Sequence, residues 1–70
     1  MGIDLTAIDL EFTPGRVKRI RVLLGESQEE FARRLGVNPN MVTRWETDTA
    51  TPQRGKTLKA LLDAEREALT

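Results

Sequence analysis

Apolar residues recur along this chain at two spacings, and the change of spacing divides it. In residues 1–13, Ile8, Leu10 and Phe12 alternate with Asp9 and Glu11, and Ile3 and Leu5 alternate likewise. A period of two is that of a half-buried strand. A lone strand is not stable, so this arm either packs on the helices or on a second subunit, or is disordered. From Val17 onward the spacing becomes helical. Val17, Ile20 and Leu24 make one face, and Phe31, Ala32 and Leu35 a second. Met41, Val42 and Trp45 make a third, and Leu58, Leu61, Leu62 and Leu69 a fourth. The pattern predicts an all-α domain over 14–70, a compact bundle of four to five helices. An N-terminal arm at 1–13, extended as a β-strand or disordered, precedes it. The expected core is Val17, Ile20, Leu24, Phe31, Leu35, Val37, Val42, Trp45, Leu58 and Leu61.

Start and stop signals bracket each stretch. Thr13-Pro14 opens the first helix, with Thr as N-cap and Pro at the first helical position, and Gly25 closes it in a left-handed turn. Ser27-Gln28-Glu29-Glu30 is a capping box for the second helix, which Gly36 ends. Asn38 caps a third helix that begins at Pro39. Thr51-Pro52 repeats the start signal for a fourth, although Gly55 weakens it and moves the start toward Lys56. Two short helices joined by Gly36-Val37-Asn38 form a helix-turn-helix. At 100° per residue, Pro39, Asn40, Thr43, Arg44 and Thr47 fall within an arc of roughly 140°, opposite Met41, Val42 and Trp45. That outer face holds short polar groups, one Arg and no acid, so it is not an ordinary lysine-glutamate solvated face.

Composition narrows the chemistry. The chain has seventy residues, no Cys and no His. Disulfides, thiolate metal sites, the commonest metal ligand and the commonest general base are therefore absent. A chain of this size buries only about 60% of its unfolded surface and hardly shapes a pocket. The expectation is no enzyme, no catalytic or metal-binding residue and no cofactor. Neither a basic n-region with an apolar run nor a membrane span is visible, so a cytoplasmic protein without membrane association is expected. The net charge is zero but unevenly spread. Residues 1–13 carry −3 and residues 61–70 carry −2. Residues 14–60 set ten Lys/Arg against Glu26, Glu29, Glu30, Glu46 and Asp48, a net of +5. A basic middle permits a phosphate-facing surface. Arg16, Lys18 and Arg19 read as a solvated face rather than as a phosphate clamp, and Trp45 as core rather than as a stacking platform.

Residues 16–62 resemble the Cro and phage-repressor (XRE) type of helix-turn-helix protein. The matching residues are Arg21, Gly25-Glu26-Ser27-Gln28-Glu29-Glu30-Phe31-Ala32, Leu35-Gly36-Val37, Val42-Thr43-Arg44-Trp45-Glu46 and Pro52. Phe31, and Gly55 ahead of Leu61-Leu62, look most like HigA-like and MqsA-like antitoxins, which repress their own operons. MqsA-like proteins carry the same Asn and Arg four residues apart. The resemblance implies a lambda-repressor-like fold and a repressor that binds a palindromic operator in double-stranded DNA as a homodimer, through a recognition helix at 38–47. It implies base reading by Asn40 and Arg44, with Pro39 limited to a thymine methyl. Asn40 suits adenine N6/N7 and Arg44 suits guanine O6/N7. It implies a phosphate contact from Gln28, with Ser27, Asn38, Thr43 and Thr47 as further phosphate holders, and a structural ion pair between Arg21 and Glu46. The alternative is a protein-interaction module that binds a toxin or other protein partner, its DNA face vestigial.

Three departures from that family stand out. Glu26 occupies a position usually apolar, so it cannot staple the second helix. Thr47-Asp48-Thr49-Ala50-Thr51 carries no cation where Arg/Lys-Gly-Arg/Lys is usual. Asp48 stands where Gly is usual.

Overall fold

Thr13 starts the first helix as its sequence predicts: its hydroxyl accepts the Arg16 N–H at 3.2 Å, and Pro14 follows at the first helical position. The computed structural model describes residues 11–70. It contains four helices, α1 (Pro14–Leu23), α2 (Gln28–Leu35), α3 (Pro39–Glu46) and α4 (Gly55–Ala68). There is no strand among the described residues. The alternating residues Ile3 to Leu10 lie outside the described residues. Phe12, the last of that alternation, has no regular backbone structure and is 2% exposed, a core residue.

Local signals decide the helix ends. The Ser27 hydroxyl accepts the Glu30 N–H at 3.1 Å, and the Glu30 carboxylate accepts the Ser27 N–H at 2.9 Å, which closes the capping box. The Asn38 side-chain oxygen accepts the Asn40 N–H at 2.9 Å and caps α3. The first three helices then end in one way. A residue in the left-handed region follows each, and the two next N–H groups bond back into the last turn. At Gly25 (φ 70°), Gly25 donates to Val22 and Glu26 donates to Arg21; at Gly36 (φ 73°), Gly36 donates to Arg33 and Val37 donates to Ala32. At the third end Asp48 holds φ 60° while Thr49 donates to the Arg44 carbonyl at 2.8 Å. Thr51-Pro52 does not start α4. Pro52 is buried beside Trp45, the chain stays non-helical through Arg54, and Arg54 gives no side-chain cap.

The core is Phe12, Val17, Ile20, Phe31, Ala32, Leu35, Val42, Trp45, Leu61 and Ala64. α3 packs on α1 and α2, and α4 packs on the same two helices. Burying the large apolar members stabilises by about 1.5–3 kcal/mol each. Leu24, Val37 and Leu58, expected inside, are only half-buried against this cluster. Each lies at an edge: Leu24 and Val37 in turns, Leu58 in the first turn of α4. Ala64, one turn beyond Leu61, takes the inner place where α4 crosses its neighbours. Leu69 follows the last turn of α4 and is exposed. Trp45 is 2% exposed, and its indole N–H has no hydrogen-bond partner among the described residues.

Candidate nucleic-acid interface

Burying Val42 and Trp45 turns the opposite side of α3 outward. Pro39, Asn40, Thr43, Arg44 and Thr47 are all exposed there. Asn40 and Arg44 are four residues apart, one helical turn, so their side chains rise from adjacent positions of one face. The Asn38 cap binds the Asn40 backbone N–H, and the Asn40 side-chain amide stays unbonded among the described residues. Arg44 forms no ion pair there. Asn40 thus offers a donor and an acceptor side by side, and Arg44 offers a planar fork of donors.

Behind that face runs a chain of polar contacts. Arg21 grips Glu46 with two parallel bonds, Nε to Oε2 at 2.7 Å and Nη2 to Oε1 at 3.1 Å. Its Nη1 donates to the Glu26 carbonyl at 3.0 Å, which ties the α1–α2 turn to α3. Glu46 Oε1 also accepts from Gln28 Nε2 at 3.2 Å, and Gln28 Oε1 accepts the Thr43 hydroxyl at 2.8 Å. The Glu46 side chain is 6% exposed and that of Arg21 16%. Burial on its own would raise the Glu46 carboxyl. The hydrogen bonds from Arg21 and Gln28, with the charges of Arg21 and Lys18, outweigh it and hold the carboxyl below the usual carboxylate range. The hydrogen bond from Arg21 to Glu46 raises the Arg21 guanidinium despite its desolvation.

Bookkeeping of donors separates the other polar residues. Thr47 donates its hydroxyl to the Thr43 carbonyl at 2.8 Å, and Thr43 donates its own to Gln28. Both hydrogens are taken by acceptors within the protein, although the residues themselves are exposed. The Ser27 hydroxyl accepts from Glu30 and keeps its hydrogen free, and Asn38 caps through its oxygen and keeps its NH2 free. Gln28 keeps one of its two amide hydrogens. At the start of α2 the Gln28 and Glu29 N–H groups precede the helix ladder. Ser27, Gln28 and Asn38 therefore keep a side-chain donor free, whereas Thr43 and Thr47 do not.

Other charged residues serve the seams between helices. Arg16 lies 4.1 Å above the Phe12 ring and clamps Glu65 of α4 at 2.7 and 2.8 Å. It is not part of the solvated face on which its neighbours Lys18 and Arg19 stand. Arg34 binds both oxygens of Glu26, at 2.5 to 3.0 Å, and also Glu67 of α4. The sequence reading missed these clamps and the Gln28–Glu46 bond. The one available signal was an acid at an apolar site, Glu26, with Arg34 two helical turns along.

A family model described as helix-turn-helix matches residues 17–64. The chain belongs to this helix-turn-helix family. No curated protein and no solved structure gives a significant match. Within the helix-turn-helix, α2 and α3 are the paired helices and α3 is the one that the motif places in a DNA groove; the domain is that of a DNA-binding regulator. The family departures now have a physical account. Glu26 replaces an apolar staple with an ion pair to Arg34, so α2 is still anchored at its N-terminal end. Asp48 adopts the left-handed turn that a Gly makes at less cost. The loop 47–51 is without cations. No helix among the described residues is long and apolar enough to cross a membrane.

Proposed function

We propose that this helix-turn-helix protein is a sequence-specific repressor that binds a palindromic operator in double-stranded DNA as a homodimer. The observation that carries the reading is the outer face of α3, where Asn40 and Arg44 stand exposed and unpaired, one turn apart, while Thr43 and Thr47 are bonded inward. In a major groove Asn40 matches the N6/N7 edge of adenine and Arg44 the O6/N7 edge of guanine. Pro39 touches at most a thymine methyl. Ser27, Gln28 and Asn38 hold phosphates, helped by the positive end of α2. Thr43 and Thr47 lie on the same face with their hydroxyl hydrogens bonded within the protein, so they support its geometry rather than donate to the backbone. One recognition helix reads only a few base pairs, so a useful specificity ratio calls for two half-sites about one DNA turn apart. Residues 14–70 are the DNA-binding domain, and the setting is cytoplasmic. Selection of bound sites from a random duplex pool tests the reading, since it reports half-site, symmetry and spacing together. Failure to enrich any sequence overturns it. With no cation in loop 47–51, the salt slope of the dimer should be shallow, about −3 to −6 at ~0.9 per neutralised phosphate.

A second reading, an antitoxin-like module that binds a protein partner, is favoured by one observation. Leu23 and Leu69 are more than half exposed and line, with Ile20, Ala68, Arg19 and Glu65, one cleft of about 390 Å³ between α1 and α4. An end-labelled random duplex titrated at low and moderate salt separates the two. A vestigial DNA face gives no saturable binding even at low salt.

A further inference from the structure

The Gln28 amide has a fixed direction, and the reason lies in its neighbours. Glu46 is an acceptor only, and it takes a hydrogen from Gln28 Nε2 at 3.2 Å. The Thr43 hydroxyl gives its hydrogen to Gln28 Oε1 at 2.8 Å. The opposite amide orientation would set the Gln28 oxygen against a carboxylate oxygen, two acceptors with no hydrogen between them. Arg21 in turn holds Glu46 by two bonds, at 2.7 and 3.1 Å, so the carboxylate cannot turn away. The second Gln28 N–H is left over among the described residues, on a half-buried side chain whose bonded neighbour Thr43 is exposed on α3.

We propose that Thr43 and Glu46 are positioning residues for DNA, which fix the Gln28 amide so that its remaining N–H meets a phosphate oxygen flanking the groove entered by α3. This rests on the DNA-binding reading above and extends it, because it links the ion pair behind α3 to a contact in front. The Arg21–Glu46 pair then does two things at once. It ties α1 to α3, and it makes Gln28 a donor of defined direction. Neither Thr43 nor Glu46 touches DNA. A phosphate contact made by a pre-set donor loses less side-chain entropy on docking than one made by a free Gln.

The test uses the full chain and the duplex found by site selection. Thr43→Val keeps the shape of the side chain on an exposed helix face and removes the hydroxyl, so the fold should be retained, as a thermal melt checks. Thr43→Val and Gln28→Ala should each weaken binding by about tenfold, the range of a hydrogen bond to a charged group. The double variant should be no weaker than Gln28→Ala. Replacing the facing phosphate with a neutral methylphosphonate should bring Thr43→Val level with the parent. In the free protein, Thr43→Val and Glu46→Gln should each move the Gln28 side-chain amide resonances. Additive losses in the double variant would mean that Thr43 touches DNA itself, and unchanged binding by Thr43→Val would mean that it does nothing; either overturns the proposal while leaving DNA binding intact. A parent protein that binds no duplex overturns both readings.

Discussion

Four arginines of this small domain are held in opposite ways. Along the seams between helices, Arg16, Arg21 and Arg34 each clamp a carboxylate of another element, Glu65, Glu46 and Glu26 respectively. On the outer face of α3, Arg44 stands without a partner among the described residues. A guanidinium whose Nε–Nη2 edge and charge are taken by a carboxylate is poorly placed to make a two-point contact with guanine or phosphate. The seam arginines therefore serve the fold and Arg44 is open to a ligand. The +5 of residues 14–60 already counts Glu26 and Glu46, and it is lowered further only by the acids that α4 brings from outside that range, Glu65 on Arg16 and Glu67 on Arg34.

The sharpest way to break this contrast is to truncate one of each kind. Arg21→Ala or Glu46→Ala leaves a largely buried charge without its partner and should cost on the order of 3–5 kcal/mol in a thermal or urea melt. An Arg21→Met/Glu46→Leu double variant should cost less than either. Single variants that melt like the parent would remove the pair from the account. The same pair predicts an acid limb. The Glu46 carboxyl is lowered in the folded protein, as is Glu30 by its bonds with Ser27. Their contributions are present above the ordinary carboxylate range near pH 4.3 and are lost as pH falls through the lowered values. The melting temperature should drop on acidification below about pH 5, and Glu46→Gln, starting lower, should show a flatter limb.

Arg44→Ala should instead leave the melt unchanged and cost about 1–3 kcal/mol in binding at the preferred site, with choice relaxed at one base position. Arg44→Lys should not restore it, because an ammonium lacks the planar two-point contact. An equal loss on every sequence would reassign Arg44 to a phosphate. Smaller again is Asp48→Gly, which relieves a non-glycine residue at φ 60° and should stabilise by up to about 1 kcal/mol. Smallest is Arg34→Ala. Its pairs with Glu26 and Glu67 are partly in solvent, so the melt should register less than about 1 kcal/mol.

What was legible in the sequence was local. Thr13-Pro14, the Ser27–Glu30 box and the Gly25 and Gly36 turns each act within a few residues, and each is found where it was read. Of the alternation that ends at Phe12 only Glu11 and Phe12 are among the described residues, and Phe12 is a core residue outside any helix or strand. Thr51-Pro52 repeats a start signal, yet α4 opens at Gly55, next to the Lys56 that was expected, because Pro52 is buried beside Trp45 before a helix forms. Leu24, Val37 and Leu58 were placed inside by periodicity, which knows the face but not the end of a helix. The clamps from Arg16 and Arg34 join residues far apart in sequence, and an Arg or Glu bound for a seam looks in one dimension like one bound for water. For the candidate site, helix phase alone set Asn40 and Arg44 on one face, whereas the bond from Gln28 to Glu46 depends on how α2 meets α3.

Trp45 carries a consequence for how the molecule can be watched. It is the sole Trp of a chain without Tyr, and it sits in the core with an indole N–H that bonds to nothing among the described residues. Its emission should be blue-shifted in the native state and should move red on unfolding, when water reaches the ring. Since α3 itself separates the indole from the face that bears Asn40 and Arg44, a duplex docking there should barely change that emission. The protein thus carries a built-in optical gauge of its folding that stays readable while DNA is bound.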